Sequence, residues 1–389
     1  MSLFSKRPGR MARHANLVME QLETRMVPAT QAFFAGGVLA VFGDAAANNI
    51  AISADAAGNL QVTDNGVAVN IQVIGSTPAK TAQTNFLYVD GGAGNDVITT
   101  DKSLNVLDAN GKLVSSPNAV LLGGDGNDII TPGHGGFQGG VVGNPVLGNC
   151  YIDGGRGDDI LTSGFGNDVI YGRDGNDTYR WPPGTLTDFF DGGAGNDTAE
   201  IIGNDTNPNG PAGNGDDAFQ LVALSNGHVR FDRTNLVPFT VDISGTETIS
   251  LKPGTGNDTV TIGDLTGAAN LRRVLVDGGD GNDVIDASGQ ANVNVQLVLR
   301  GGNGDDVIRG GAGNDIIQGD AGNDQLFGNG GYDLLIGGDG NDRLDGGNDG
   351  RLDLLIGGSG ADTFVTHSST PSIALDFLST EGDVFENGF

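Results

Sequence analysis

The sequence predicts an all-β chain, a parallel β-roll or β-helix solenoid, and three observations carry that expectation. Seven copies of one nonapeptide pattern run back to back from Gly301 to Val365. Each copy carries an Asp at or near its sixth position and a large apolar residue at its eighth. Glycine makes up 68 of the 389 residues, more than double the usual share of about 7%. The copies read GGNGDDVIR, GGAGNDIIQ, GDAGNDQLF, GNGGYDLLI, GGDGNDRLD, an eleven-residue variant GGNDGRLDLLI, and GGSGADTFV.

Glycine at positions one, two and four is expected to turn the chain with φ > 0, which costs glycine nothing because it has no Cβ. The remaining three residues suffice for a strand of about 10 Å, at about 3.3 Å per residue. Strand side chains alternate, so the eighth-position residues Ile308, Ile317, Leu326, Leu335, Leu344, Leu355 and Phe364 form an inward ladder. Neighbours such as Arg309, Gln318, Gln325, Arg343 and Asp345 suit a wet outer face. Two copies then make one flattened coil with a strand on each side.

Coils stacked about 4.8 Å apart place each Asp over its counterpart one coil later. The pairs expected are Asp306 with Asp324, Asp315 with Asp333, Asp324 with Asp342 and, upstream, Asp159 with Asp177. The eleven-residue copy is expected to disturb the register around Asp353. Two carboxylates held that close must take a proton or share a cation. The turn also offers backbone carbonyls, and calcium takes six to eight oxygens at about 2.3–2.6 Å. Magnesium, with its strict octahedron, fits a flexible turn less well, and zinc is disfavoured because the array holds no His or Cys. A metal-free solenoid whose Asp side chains only cap turns is the alternative.

Upstream the pattern spreads out. It recurs at 91–99, 123–131, 192–200, 253–261 and 278–286, fills 154–180 with three adjoining copies, and returns weakly as AGNGDDAFQ at 212–220. Candidate metal ligands are therefore Asp306, Asp315, Asp324, Asp333, Asp342, Asp353 and Asp362 in the array. Upstream they are Asp96, Asp128, Asp159, Asp168, Asp177, Asp197, Asp258 and Asp283. Between the turns lie β-type runs: Gly58 to Ile74, with Asp64-Asn65-Gly66 as a hairpin turn, and Val293 to Leu299. The apolar stretch Ala32 to Phe42, interrupted by Gly36 and Gly37, reads as a first strand in preference to a signal-peptide core.

The formal net charge is −29, from 49 acids against 20 bases. So acidic and glycine-rich a chain resists unaided collapse, and bound cations would couple ion binding to folding. The same charge repels nucleic acid. A single cysteine, Cys150, precludes an internal disulfide, and no apolar run approaches the length of a transmembrane helix.

Catalytic motifs are missing. There is no HExxH pair, and His14, His134, His228 and His367 are scattered singly. No GxSxG elbow and no GxGxxG opening a helix occur. No carboxylate pair stands out for glycoside hydrolysis among so many acids. A groove lined by Trp181, Tyr179 and Tyr171 is conceivable for polysaccharide, although Tyr179 occupies an eighth-position slot that favours burial. Asp205-Thr-Asn-Pro-Asn-Gly210, with Asp216 twelfth, mimics an EF-hand loop but carries two prolines and ends in Asp instead of Glu. Arg156-Gly157-Asp158 and the Asn-Asp-Thr sequons, such as Asn196 to Thr198, fall out of the repeat itself.

The nonapeptides match GGxGxDxUx, so the chain resembles the RTX, or hemolysin-type calcium-binding, family. Further, ALDFLSTEGDVFENGF resembles the DFxxxxGDxI stretch that caps the last coil in that family, and LETRMVPA (22–29) resembles an LExR-type export segment. Here the chain stops a few residues after the former, so the family's full secretion signal is expected to be absent or shortened. The resemblance implies export, calcium-driven folding outside the cell and a β-roll. The expected organisation is a basic leader over 1–30, an irregular solenoid over 31–300, a regular calcium-binding roll over 301–365 and a cap or secretion-like segment over 366–389. The expected function is a secreted calcium-binding module, structural or adhesive, with calcium and cell-surface or extracellular polysaccharide as partners. A secreted polysaccharide-acting enzyme built on the solenoid face is the alternative.

Overall fold

The protein is described by a computed structural model covering residues 29–107, 109, 113–133, 148–164, 166–181, 187–203, 215–235, 239–367, 372–378 and 380–388. Residues 1–28 of the basic leader and the EF-hand-like loop at 205–210 lie outside these.

Two long sheets face each other, of 18 and 16 strands among the described residues, and a separate two-stranded ribbon stands apart. From Phe86 onward, successive strands alternate between the sheets over most of the chain, and each pairs in parallel with the strand one coil on. The eighth-position residues are brought into register as expected. Ile308, Leu326, Leu344 and Phe364 pair in sequence across the 18-strand sheet. Leu299, Ile317, Leu335 and Leu355 do so across the 16-strand sheet. All are at most 1% exposed. One continuous apolar cluster runs from Ala32 to Phe364, and each fully buried side chain of this size stabilises by about 1.5–3 kcal/mol. The strands are unequal, a departure from the three residues expected. Those of the 18-strand sheet hold three residues in the array, such as Val307–Arg309, whereas those of the facing sheet run on through the glycine turn, as in Leu334–Asp339. The eleven-residue copy does not break the register: its extra residues stay in the turn before Asp353–Ser359, and Leu335 still pairs with Leu355.

The ends and the middle depart from the simple coil. At the start, Gln31–Ala35 and Val38–Phe42 pair antiparallel around Gly36 and Gly37. Leu60–Asp64 and Val67–Val69 form a hairpin in which Asn65 (φ 50°) and Gly66 (φ 77°) supply the left-handed backbone of a type I′ turn. In the middle, Ala218–Ala223, Val229–Arg233 and Phe239–Ser244 form an antiparallel trio inserted into the 18-strand sheet. Phe239–Ser244 continues in parallel from Asp188–Ala194, and Ala218–Ala223 leads on to Thr259–Ile262. The facing sheet receives no matching insertion there, since Thr198–Ile202, Thr248–Lys252 and Arg273–Asp280 are direct neighbours. Aromatic rings fill the extra width: Trp181 stacks on Phe239 at 3.9 Å, and Phe231 contacts both Phe219 and Phe239. They leave an apolar void of about 10 Å³.

Neither Trp181 (1% exposed) nor Tyr179 (0%) lines a groove, which overturns that expectation. Tyr179 occupies the eighth-position slot between Leu161 and Ala199, and the inward pleat leaves no other direction for its ring. Tyr171 does face outward, held between Tyr151 and Phe189 with Arg173 over its ring.

Candidate metal centre

Asp306 shows how each rung is built. It ends the glycine turn that opens at Gly301 and precedes the strand Val307–Arg309. Its backbone N–H donates to Asp324 Oδ1 at 2.8 Å, one coil later, and its own Oδ1 accepts the N–H of Asp283 at 2.7 Å. Its Oδ2 is buried with no hydrogen-bond partner. The same bond recurs wherever the copies stack. On the edge where the chain passes from the 18-strand sheet to its partner, Asn48 N–H donates to Asp96, Asp96 to Asp128, Asp128 to Asp159, Asp159 to Asp177 and Asp177 to Asp197. On the opposite edge the column runs from Asp217 through Asp258, Asp283, Asp306, Asp324, Asp342 and Asp362 to Asp383. The ladder thus changes edge at the antiparallel insertion. A shorter column, Asp315 to Asp333 to Asp353, returns to the first edge.

The expected pairs 306–324, 315–333, 324–342 and 159–177 are all brought together. Thirteen of the fifteen singled-out Asp residues share the orphaned Oδ2: Asp96, Asp128, Asp159, Asp177, Asp197, Asp258, Asp283, Asp306, Asp324, Asp333, Asp342, Asp353 and Asp362. Asp168 and Asp315 differ. Asp168 accepts the N–H of Cys150 on one oxygen and of Gly164 on the other. Asp315 accepts from Leu297 and Gly311 in the same way. Each heads its column, and its turn closes on its own carboxylate.

A buried carboxylate oxygen without a donor is costly as an anion. Burial, followed by the neighbouring carboxylates, raises Asp306, Asp342 and Asp258 to about 7. Asp333 and Asp159 go to about 8. For Asp324 burial again dominates, and the value reaches about 6. Such a group either keeps a proton or neutralises its charge on a cation.

The surroundings suit a cation. A Cβ placed on Gly301 would collide with both Asp306 Oδ2 and the carbonyl oxygen of Gly319 in the next coil. The orphaned oxygen and a carbonyl therefore converge where the first glycine leaves room. This corrects the reading of position one: Gly301 has no positive φ, unlike Gly302 (117°) and Gly304 (130°), and is required for close approach instead of for the turn. Among the described residues no three His, Cys, Asp or Glu side chains converge on one point. An ion here would have to draw on backbone carbonyls beside carboxylates from adjacent coils. That donor set is all oxygen, which suits calcium and disfavours zinc.

Several residues of the ladder had escaped the sequence reading. Asn48 opens the first column, in GDAAANNIA, a copy degenerate enough to hide. Glu247 accepts the N–H of Asp197 from fifty residues away, and no local pattern marks it. Asp188 accepts Asp168 N–H and the Tyr179 hydroxyl, and burial with Asp168 nearby raises it to about 8. At the far end, Asp376 accepts the N–H groups of Gly357 and Gly358, and Asp383 those of Asp362 and Leu378. These are the two Asp residues of the DFxxxxGD stretch. A second ladder uses position five, where the side chain accepts from the following coil: Asn323 Oδ1 takes the N–H of Asn341, and Asp305 that of Asn323. Its signal was the recurrent Asn or Asp before the sixth-position Asp.

A family model described as the RTX calcium-binding nonapeptide repeat, in four copies, matches residues 88–111, 118–135, 151–179, 184–199, 274–293, 300–335, 318–350 and 352–368. No curated protein matches the chain. The matched segments carry twelve of the thirteen orphaned aspartates, and the thirteenth, Asp258, lies in the same column. With its stacked parallel coils and nonapeptide turns, the chain carries RTX calcium-binding nonapeptide repeats along these matched segments.

Proposed function

We propose that the thirteen orphaned aspartates hold calcium ions between successive coils, and that loading them drives the chain to fold outside the cell as a structural or adhesive surface module. The observation that carries this is the buried, donor-free Oδ2 repeated at thirteen stacked rungs. Calcium supplies the positive charge that these carboxylates lack. Asp168 and Asp315 are set aside as turn-closing residues, because both their oxygens are occupied by N–H groups. The net charge of −29 supports the same reading, since a chain so acidic gains cohesion from divalent ions. Low calcium inside a cell and abundant calcium outside would keep the chain open until export, with the basic leader over 1–30 as the export-related part. Polysaccharide remains the proposed surface partner of the module. The burial of Trp181 and Tyr179 takes away the groove that both polysaccharide binding and the enzyme reading would have used, and of the three aromatics only Tyr171 faces outward.

Far-UV circular dichroism of the full chain, titrated with calcium from an EDTA-treated start and with magnesium as control, tests the proposal. A cooperative gain of β signal with calcium alone is expected. Equal β structure in EDTA would reject calcium-driven folding.

A further inference from the structure

One rung carries its own cation. Asp217, in the weak copy AGNGDDAFQ, heads the column that runs to Asp383 and donates its N–H to Asp258 Oδ1 at 2.6 Å. Its side chain is fully buried, and the guanidinium of Arg233, 9% exposed, is hydrogen-bonded to its Oδ1. Among the ion pairs of the described residues, none joins Lys or Arg to any of the thirteen orphaned aspartates; Asp217 is the sixth-position residue so paired. The pair is built in place by the antiparallel hairpin. Arg233 ends Val229–Arg233, opposite Phe219 in the neighbouring strand Ala218–Ala223, which returns it to Asp217, the residue just before that strand. Asn235 reinforces the return, accepting the N–H of Ala218 at 2.9 Å and donating to the carbonyl of Asp216 at 2.8 Å.

The surrounding segment also depends less on coil stacking than the array does. Its three strands pair antiparallel along the chain, contacts of low sequence separation that form early. Phe219, Phe231 and Phe239 pack there with Trp181. On one side lies the column that reaches Asp197, on the other the column that Asp217 heads and that continues through Asp258, and they occupy opposite edges.

We propose that Arg233 takes the place of a divalent cation at the Asp217 rung, so that the segment 218–251 keeps its structure without calcium and separates two ion arrays that load independently. This rests on the calcium reading of the other rungs. A guanidinium is always charged, so the buried Asp217 carboxylate needs no cation from solution, even though Arg233 Nε is buried without a hydrogen-bond partner; removing one partner leaves an uncompensated buried charge.

Hydrogen exchange of the full chain, read by mass spectrometry in EDTA and in calcium, tests it. Peptides within 218–251 are expected to be protected in both conditions, and those within 118–131 and 325–345 only in calcium. Exchange across 218–251 as fast in EDTA as in the flanks overturns the proposal. Flanks already protected in EDTA overturn the calcium reading itself, and this proposal with it. Arg233→Met should speed exchange of 218–251 in EDTA by about a hundredfold, while Arg233→Lys retains much of the protection. Unchanged protection in Arg233→Met rejects the role of the guanidinium.

Discussion

The backbone N–H of Asp306 is bound by Oδ1 of Asp324 at 2.8 Å, while Oδ2 of the same Asp324 side chain is buried without a donor. One oxygen stitches two coils and the other requires a positive charge. Adhesion between coils and demand for a cation therefore reside in a single carboxylate.

Asp324→Ala should weaken calcium-dependent folding far more than Asp64→Ala. Asp64 bonds Thr30, Asn48 and Asn49 at the start of the solenoid and belongs to no orphaned column. The calcium midpoint of the dichroism titration is expected to rise for the former and stay for the latter. Equal shifts would remove the stacked-site interpretation.

Stability should fall with rising pH without calcium but not with it. The native values of Asp306 (about 7) and Asp333 (about 8) lie above the ordinary 3.8. Between those limits the metal-free native state therefore binds more protons than the unfolded chain. Its stability is present below about pH 4 and is lost as pH rises through 7 and 8. In EDTA the melting temperature should fall from pH 5 to pH 8. In saturating calcium it should not fall, because the ion displaces the protons. A melting temperature in EDTA that rises over this range contradicts the protonated-ladder account.

Asn323→Ala tests the second ladder separately. It removes the acceptor for Asn341 N–H and a donor to Asp305, at about 1–2 kcal/mol of stability. The number of calcium ions bound, measured by equilibrium dialysis, should be unchanged. A lower ion count would place position five among the ligands.

Asp315 and Asp333 share a column but not a role. Asp333→Asn should lower calcium binding, since its Oδ2 is orphaned. Asp315→Asn should destabilise the fold in EDTA and in calcium alike, because an amide NH₂ would then face a backbone N–H of Gly311 or Leu297. Calcorimetric titration and thermal melts of the two variants, compared side by side, distinguish loss of ions from loss of fold.

The coil itself was legible from residues 301–365. An apolar residue at each eighth position, two apart in facing direction from its neighbours, dictates an inward ladder, and the repeat length dictates which Asp overlies which. These are local periodicities, expressed within one or two copies, so Ile308 over Leu326 and Asp306 over Asp324 needed no tertiary information. The role of Gly301 was misread because its constraint comes from Gly319 in another coil, not from its own backbone. Likewise, nothing within nine residues tells Asp315 from Asp333, or reveals that Glu247 receives the N–H of Asp197. Asp315 differs because it heads its column and takes the N–H groups of Leu297 and Gly311, whereas Glu247 reaches Asp197 because the chain between them makes the antiparallel insertion. By returning Arg233 to Asp217 and widening one sheet alone, the insertion moves the main column to the opposite edge and lets the chain itself answer one carboxylate. The sequence by itself determined the repeating coil and its ion-ready turns, because their geometry is local. Only the tertiary structure decided which carboxylates stay unsatisfied, because that depends on what the rest of the chain brings against each oxygen.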